Sequence, residues 1–205
     1  VTILGDSMWA GQTVTNPATD GAAILLAADL TARFPGTVTV TNRAAGGRTM
    51  LTMHTFSDVE NALADKADLY IIGGGRNDAL NEFPGGGGVY KEGYPRAGSM
   101  AARERVVRMI RDRVPKADVI LSSESPYKAS TGVGANAVMV SYFADVQRLA
   151  AQYGCEYVDV FTAVLARVGG YDDLMHADGV HPNTAGHRFM ADVVLDRFPA
   201  AYSGP

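Results

Sequence analysis

Apolar residues in this chain fall into short runs, separated by longer stretches in which they recur every three to four positions. The short runs are Val1–Gly5, Thr37–Asn42, Asp68–Gly73, Ala117–Ser122 and Cys155–Val160. None alternates cleanly between apolar and polar residues, the pattern of strands covered on both faces. Between them the helical period predicts helices near Ala22–Phe34, Phe56–Ala64, Ala101–Val114 and Ala137–Tyr153. A last helix is predicted from about Thr184 to Arg197, opening just after Pro182-Asn183, a suitable cap. Strands alternating with helices imply a parallel sheet between two helical layers. The expected architecture is a three-layer α/β/α sandwich with five parallel strands, forming one domain over residues 1–205. In such sheets ligands bind beyond the carboxyl ends of the strands.

Polar residues of a particular kind stand at those ends. Gly5-Asp6-Ser7 closes the first strand, and Asp178-Gly-Val-His181-Pro182 stands near the C-terminus. A serine hydroxyl is a weak nucleophile until a histidine takes its proton, and a carboxylate on the other ring nitrogen fixes the tautomer. Asp178 precedes His181 by three residues, so one turn can carry both. Two further segments follow predicted strands: Asn42-Arg-Ala-Ala-Gly46-Gly47-Arg48-Thr49, and Gly73-Gly74-Gly75-Arg76-Asn77-Asp78. Acyl transfer builds negative charge on a carbonyl oxygen, and fixed donors must wait there. A glycine N–H permits close approach, and an asparagine amide donates without adding charge.

These four blocks, in this order, resemble those of the SGNH (GDSL-type) serine hydrolase family, and they span residues 5 to 182. The resemblance implies the family's flavodoxin-like α/β/α fold and an esterase activity that needs no cofactor and no metal. It makes Ser7 the nucleophile, His181 the base and Asp178 the residue that orients it. The implied oxyanion hole is the Ser7 N–H, the Gly47 N–H and the Asn77 side chain. Gly46 competes for the second of these roles, with Gly47 in better register with Asn42 and Thr49. Met8 stands where the family often has leucine.

Trp9, Arg48, Arg76 and Tyr127 are further candidates for contact with substrate. Trp9 adjoins the nucleophile, each arginine adjoins an oxyanion candidate, and Tyr127 lies in a long loop. The two long loops, Asn81–Gly98 and Ser123–Asn136, leave the same sheet edge and are expected to shape the substrate site. The first holds Gly85–Gly88 with Phe83, Tyr90 and Tyr94 around it. Their glycine-, serine- and tyrosine-rich composition favours a polar ester, with a short acyl or acetyl group on a glycan as the leading expectation. The alternatives are a lipase, thioesterase or lysophospholipase activity, or an idle glycan-binding module on the same scaffold. A metal hydrolase built on His176, Asp178 and His181 would leave Ser7, Gly47 and Asn77 unexplained.

Other features narrow the picture. A formal net charge of −4 argues against nucleic acid as a general partner. The arginine-rich run Arg103–Lys116 carries Val106, Val107, Ile110 and Val114 at helical spacing, so its charges read as the solvated back of an amphipathic helix. No stretch approaches the roughly 20 apolar residues of a membrane span. No signal peptide is visible, and the chain opens on a strand without methionine, as expected of a mature product or an excised domain. Cys155 is the single cysteine and reads as core. His54 and His187 read as structural, and so first does His176, which also lies within reach of the site rim. Asp6 and Asp78 are expected to hold their loops by accepting backbone N–H groups.

Overall fold

Consecutive residues of each central strand serve opposite faces of the sheet. Leu4, Tyr70, Ile72, Val119 and Leu121 pack on one side. Ile3, Ile71, Ile120 and Val158 pack on the other. Both sets are apolar, so the runs show no alternation, and each face must be roofed by helices. A computed structural model describes residues 1–80, 96–130 and 133–198 and shows how this is done. The strands β1 (Thr2–Leu4), β2 (Thr41–Asn42), β3 (Leu69–Ile72), β4 (Asp118–Ser122) and β5 (Glu156–Val158) are all parallel. They lie in the order β2-β1-β3-β4-β5. The strand order therefore reverses between β1 and β3, which is where a crevice opens at the carboxyl edge of such a sheet.

The helices follow in chain order as α1 (Ser7–Ala10), α2 (Pro17–Asp20), α3 (Ala22–Arg33), α4 (Met50–Thr55), α5 (Asp58–Ala64) and α6 (Arg76–Leu80). The rest are α7 (Arg96–Arg113), α8 (Val133–Tyr153), α9 (Val160–Leu165) and α10 (Thr184–Leu195). Helices α3 and α10 cover one face, with Leu26, Leu30, Met190 and Val194 in its core. Helices α4, α5, α7 and α8 cover the other. The buried stripe of α7 runs Ser99, Ala102, Arg103, Val106, Val107, Ile110, a 3.6-residue repeat. Asn183 caps α10 as expected, its side chain accepting the Gly186 N–H at 3.0 Å.

Several boundaries differ from expectation, each for a local reason. The run Thr37–Asn42 yields only Thr41–Asn42 as strand, because this edge pairs with β1 alone and over two residues. The fifth strand stops at Val158, where the Asp159 side chain accepts the Thr162 N–H at 3.0 Å and starts α9. Helix α4, absent from the expected set, is opened by Thr49 and Thr52 in a reciprocal capping box. Ser57, at φ 62°, then breaks the chain between α4 and α5. Helices α7 and α8 begin earlier than predicted and absorb the ends of both long loops. Residues 81–95, with Phe83, Gly85–Gly88, Tyr90 and Tyr94, lie outside the described residues. Within the arginine-rich helix, Arg105, Arg108 and Arg113 are exposed, but Arg103 is fully buried. Its guanidinium donates to Gly74 O at 2.6 Å and so pins the end of β3. Cys155 is half-buried at the margin of the core.

Two buried groups tie the layers to the carboxyl edge, and each makes a testable difference. Trp9 is fully buried in a slot whose walls are Gly5 and Gly73. A Cβ on Gly73 would stand 2.0 Å from the indole nitrogen. Gly73→Ala is expected to overpack this slot and destabilise the fold by roughly 1–3 kcal/mol. Trp9 is the single tryptophan, so its fluorescence reports the displacement directly. An unchanged melting temperature and emission spectrum would show that the slot has slack.

His187, on α10, is also fully buried. Its Nδ1 accepts the Ala22 N–H at 3.3 Å and its Nε2 donates to Gln12 O at 3.4 Å, which requires the neutral ring. Burial pushes its pKa down to about 4, against an opposing hydrogen bond to Gln12. Unfolded chains therefore bind the proton first as pH falls. The stabilisation from His187, roughly 3 kcal/mol, is complete above about pH 6.5 and is lost between there and about pH 4. Urea denaturation at several pH values should show this slope in the wild type and a flatter one in His187→Gln. Parallel slopes would remove His187 as the titrating group.

Candidate active site

Ser7 is the first residue of α1, three residues beyond β1, and is largely buried. Asp6 caps the helix by accepting the Met8 N–H at 3.0 Å, and Gly11, at φ 77°, ends it after one turn. As the first helical residue, Ser7 has an N–H with no acceptor in its own helix. The serine thus faces the crevice with both its hydroxyl and its amide free of helix bonding.

Asp178 and His181 reach it from a tight reversal before α10. The His176 N–H donates to His181 O at 2.8 Å, and the Gly179 N–H donates to His176 O at 3.0 Å. Met175 and Pro182 pair across its base. Inside the reversal, Asp178 Oδ1 accepts the N–H groups of Val180 (2.8 Å) and His181 (2.9 Å). Its Oδ2 lies 2.8 Å from His181 Nδ1. On the far side of the ring, His181 Nε2 lies 3.0 Å from Ser7 Oγ. One aspartate therefore both folds the turn and fixes the ring. Partial burial works to raise the Asp178 pKa, but the bonds from His181 and Val180 outweigh it and hold the carboxyl well below the usual range. His176 also touches this carboxylate, Nδ1 to Oδ2 at 3.3 Å, and so belongs to the rim. Thr13 Oγ1 donates to Pro182 O at 3.0 Å, and the Lys128 N–H donates to Gly179 O at 3.0 Å. These bonds lock the turn against the segment after α1 and the loop after β4.

Asn77, on α6 just past β3, reaches the turn that carries Ser7. Its Nδ2 donates to Arg48 O at 2.9 Å and, at longer range, to Asp6 Oδ2 at 3.3 Å. The Gly46-Gly47 turn carries φ 74° at Gly47, a left-handed backbone that disfavours side chains there. A Cβ on Gly46 would meet Gln12 Oε1 at 3.0 Å, whereas none would meet anything at Gly47. Asp78 holds this turn as expected. Its carboxyl oxygens both accept the Met50 N–H at 3.1 Å, fixing the start of α4, and Ser99 Oγ donates to it at 2.7 Å.

The four side chains named as substrate contacts have other surroundings. Trp9 is fully enclosed, as described above. Arg76 is also buried, its guanidinium 3.6 Å over the Tyr127 ring, so both lie beneath the site and not on its open surface. Arg48 is tied back to Asp58 at 2.5 Å and stacks on Phe56 at 4.2 Å, and meets the site only through its carbonyl. Tyr127 keeps a small exposed fraction. Burial is the reason for Trp9, Arg76 and Tyr127, whereas Arg48 is held back by its ion pair.

Glu124 escaped the sequence reading altogether. It sits just past β4 and is fully buried, accepting the Gly74 N–H at 2.9 Å and the Arg76 N–H at 3.2 Å. Its carboxyl meets that of Asp6, which is equally buried. Burial, then the Asp6 charge, pushes the Glu124 pKa well up. The only signal in the sequence was position: Ser122-Ser-Glu124-Ser125 also stands at a strand's carboxyl end. His54 donates or accepts at Ala102 O (3.1 Å), away from this cluster.

The fold is shared with solved structures. An acetylxylan esterase, Axe2 from Geobacillus stearothermophilus, superposes with a TM-score of 0.79 at 21% identity, covering 99% of this chain and 96% of that one. An alpha/beta hydrolase from the metagenome of Lake Arreo, Spain, gives 0.76 at 24% identity over 95% and 92%. No curated protein sequence matches significantly. The model of the GDSL-like lipase/acylhydrolase family matches residues 3–189, from β1 into α10. The chain belongs to that family, and is a carboxylic ester hydrolase on the SGNH hydrolase fold.

Proposed function

We propose that the protein is a serine esterase that works through an acyl-enzyme on Ser7. The observation that carries this reading is the unbroken chain from Ser7 Oγ through His181 to Asp178, at 3.0 and 2.8 Å, in the crevice between β1 and β3. His181 Nε2 takes the hydroxyl proton as Oγ attacks the ester carbonyl. The tetrahedral intermediate collapses when His181 returns that proton to the departing alcohol. Water then enters, gives a proton to His181 and attacks the acyl carbon, and the proton returns to Ser7 Oγ as the acid leaves. Asp178, ionised across the working range, stabilises the imidazolium that forms twice in each cycle.

Charge on the carbonyl oxygen is met by the N–H groups of Ser7 and Gly47 and by the Asn77 amide. In the free protein both Asn77 hydrogens have acceptors, and the longer bond, to Asp6, is the one a developing oxyanion would share. The preferred substrate is a short acyl ester, an acetyl group on a glycan foremost. The named activity of the Axe2 neighbour and the polar composition of the long loops support this choice.

Ser7→Ala is expected to fold normally and lose nearly all esterase activity, with His181→Ala about as damaging because the two act as a unit. Asp178→Asn should cost less than either. Fluorophosphonate should label the wild type and not Ser7→Ala. Full activity in the alanine variant would end the serine mechanism. On substrate, rates across p-nitrophenyl esters of rising chain length, beside acetylated glycans, should peak at acetyl. A peak at long chains would favour the lipase reading.

Asn77→Ala should lower kcat by roughly 10²–10³, the loss typical of one oxyanion donor, with KM little changed. If Asn77 only braces the turn after β3, the melting temperature should fall while kcat per intact site stays. Measuring both on one sample separates the two roles.

A further inference from the structure

Two carboxyl groups and one guanidinium are shut beneath the crevice. Glu124, Asp6 and Arg76 have 0, 1 and 2% of their surface exposed, so water compensates none of them. Glu124 and Asp6 are neighbours whose carboxyl groups act on each other directly, and two carboxyl groups that bond to each other need one shared hydrogen. Charge leads to the same count: two buried carboxylates against one guanidinium would leave an unbalanced negative charge in a dry site, and one added proton makes the cluster neutral.

The contacts of each carboxyl say where it acts. Glu124 accepts the N–H groups of Gly74 and Arg76, at the turn leading into α6 and Asn77. Asp6 accepts the Met8 N–H, in the turn that carries Ser7, and the Asn77 amide. The pair therefore bridges β1, β3 and β4 at the point where the nucleophile and the amide must be held in register. It also bears on charge. An uncompensated Asp6 carboxylate beside Asn77 would compete with an oxyanion for the amide and repel it. The other titratable groups facing the pair are His181, Asp78 and Tyr127.

We propose that Glu124 is a positioning residue for ester hydrolysis: it gives its carboxyl hydrogen to Asp6, and Asp6 so held fixes the Asn77 amide beside Ser7. This rests on the reading of Ser7 and Asn77 given above. Arg76, stacked on Tyr127 and bonded to Ser125 O at 3.4 Å, is the built-in counter-ion.

A double-mutant cycle in Glu124 and Asn77 tests it, with intact sites counted by fluorophosphonate titration. Glu124→Ala should lower kcat roughly 10- to 100-fold with KM little changed. Glu124→Gln should recover part of the loss, since its amide nitrogen still donates to Asp6 but cannot accept the backbone N–H that the carboxyl oxygen in its place accepts. In the Asn77→Ala background, Glu124→Ala should cost no more than about threefold, because the residue it acts through is gone. An undiminished cost in that background, or no cost in either, would overturn the proposal. If Glu124→Ala fails to fold, the wild type labelled with carboxyl-¹³C glutamate decides: the Glu124 resonance should report a protonated carboxyl at pH 7. An ionised Glu124 there would overturn it. A wild type without esterase activity, or Ser7→Ala with full activity, would instead sink the reading of the site, and leaves the protonation result separately readable.

Discussion

Backbone N–H groups just past the strand ends have no ladder to join, and burying them without acceptors would cost on the order of 1–3 kcal/mol each. This constraint organises the whole carboxyl edge of the sheet. Asp6 takes the Met8 N–H, Asp78 the Met50 N–H, and Glu124 those of Gly74 and Arg76. Ser123 Oγ takes the Phe161 N–H at 2.9 Å. Each acceptor is a polar side chain within six residues of a strand end. Asp78, Glu124 and Ser123 also tie their own strand's loop to a neighbour's, and Asp6, which serves its own turn, does so through Asn77.

Building such a rim from carboxyl groups brings a second constraint. Carboxylates packed this closely beneath an apolar sheet cannot all be ionised, and guanidinium groups are drawn in to balance them. Arg76 and Arg103 are buried for this reason, one against Asp6 and Glu124, the other at the end of β3 near Asp78. The catalytic-type chain of Ser7, His181 and Asp178 sits on top, more open to water, and depends on the layer below for the position of its serine. Asp178 is held ionised by local bonds within its own turn, whereas Asp6 and Glu124 are governed by burial. Carboxyl groups a few residues from one site thus take different protonation states from their surroundings alone.

Strand and helix order, the parallel sheet and the placing of Ser7, Gly47 and Asn77 past strand ends were legible in the sequence, because they rest on local periodicity and on turn-forming residues. The Asp178-x-x-His181 turn was equally legible, since its bonds join residues within three positions of one another. Short elements such as α4 and α6 were not, because their apolar contacts come from α7 and α8 far along the chain. Trp9 and Arg76 illustrate the same limit from the side of chemistry: adjacency to a site residue says nothing about whether a side chain turns outward or in.

What the sequence by itself determined, then, is the set of local decisions: which runs make strands, which residues cap and turn, and which four blocks hold Ser7, Gly47, Asn77, Asp178 and His181. The tertiary structure alone decided which of these meet. Strand order places β1 beside β3, so Asn77 meets Asp6, the residue before Ser7, from far along the chain, and β4 beside β3, so Glu124 reaches Asp6. Burial then sets the charge states, because the electrostatic environment of a carboxyl group depends on everything packed around it and on almost nothing within a few residues of it in the chain.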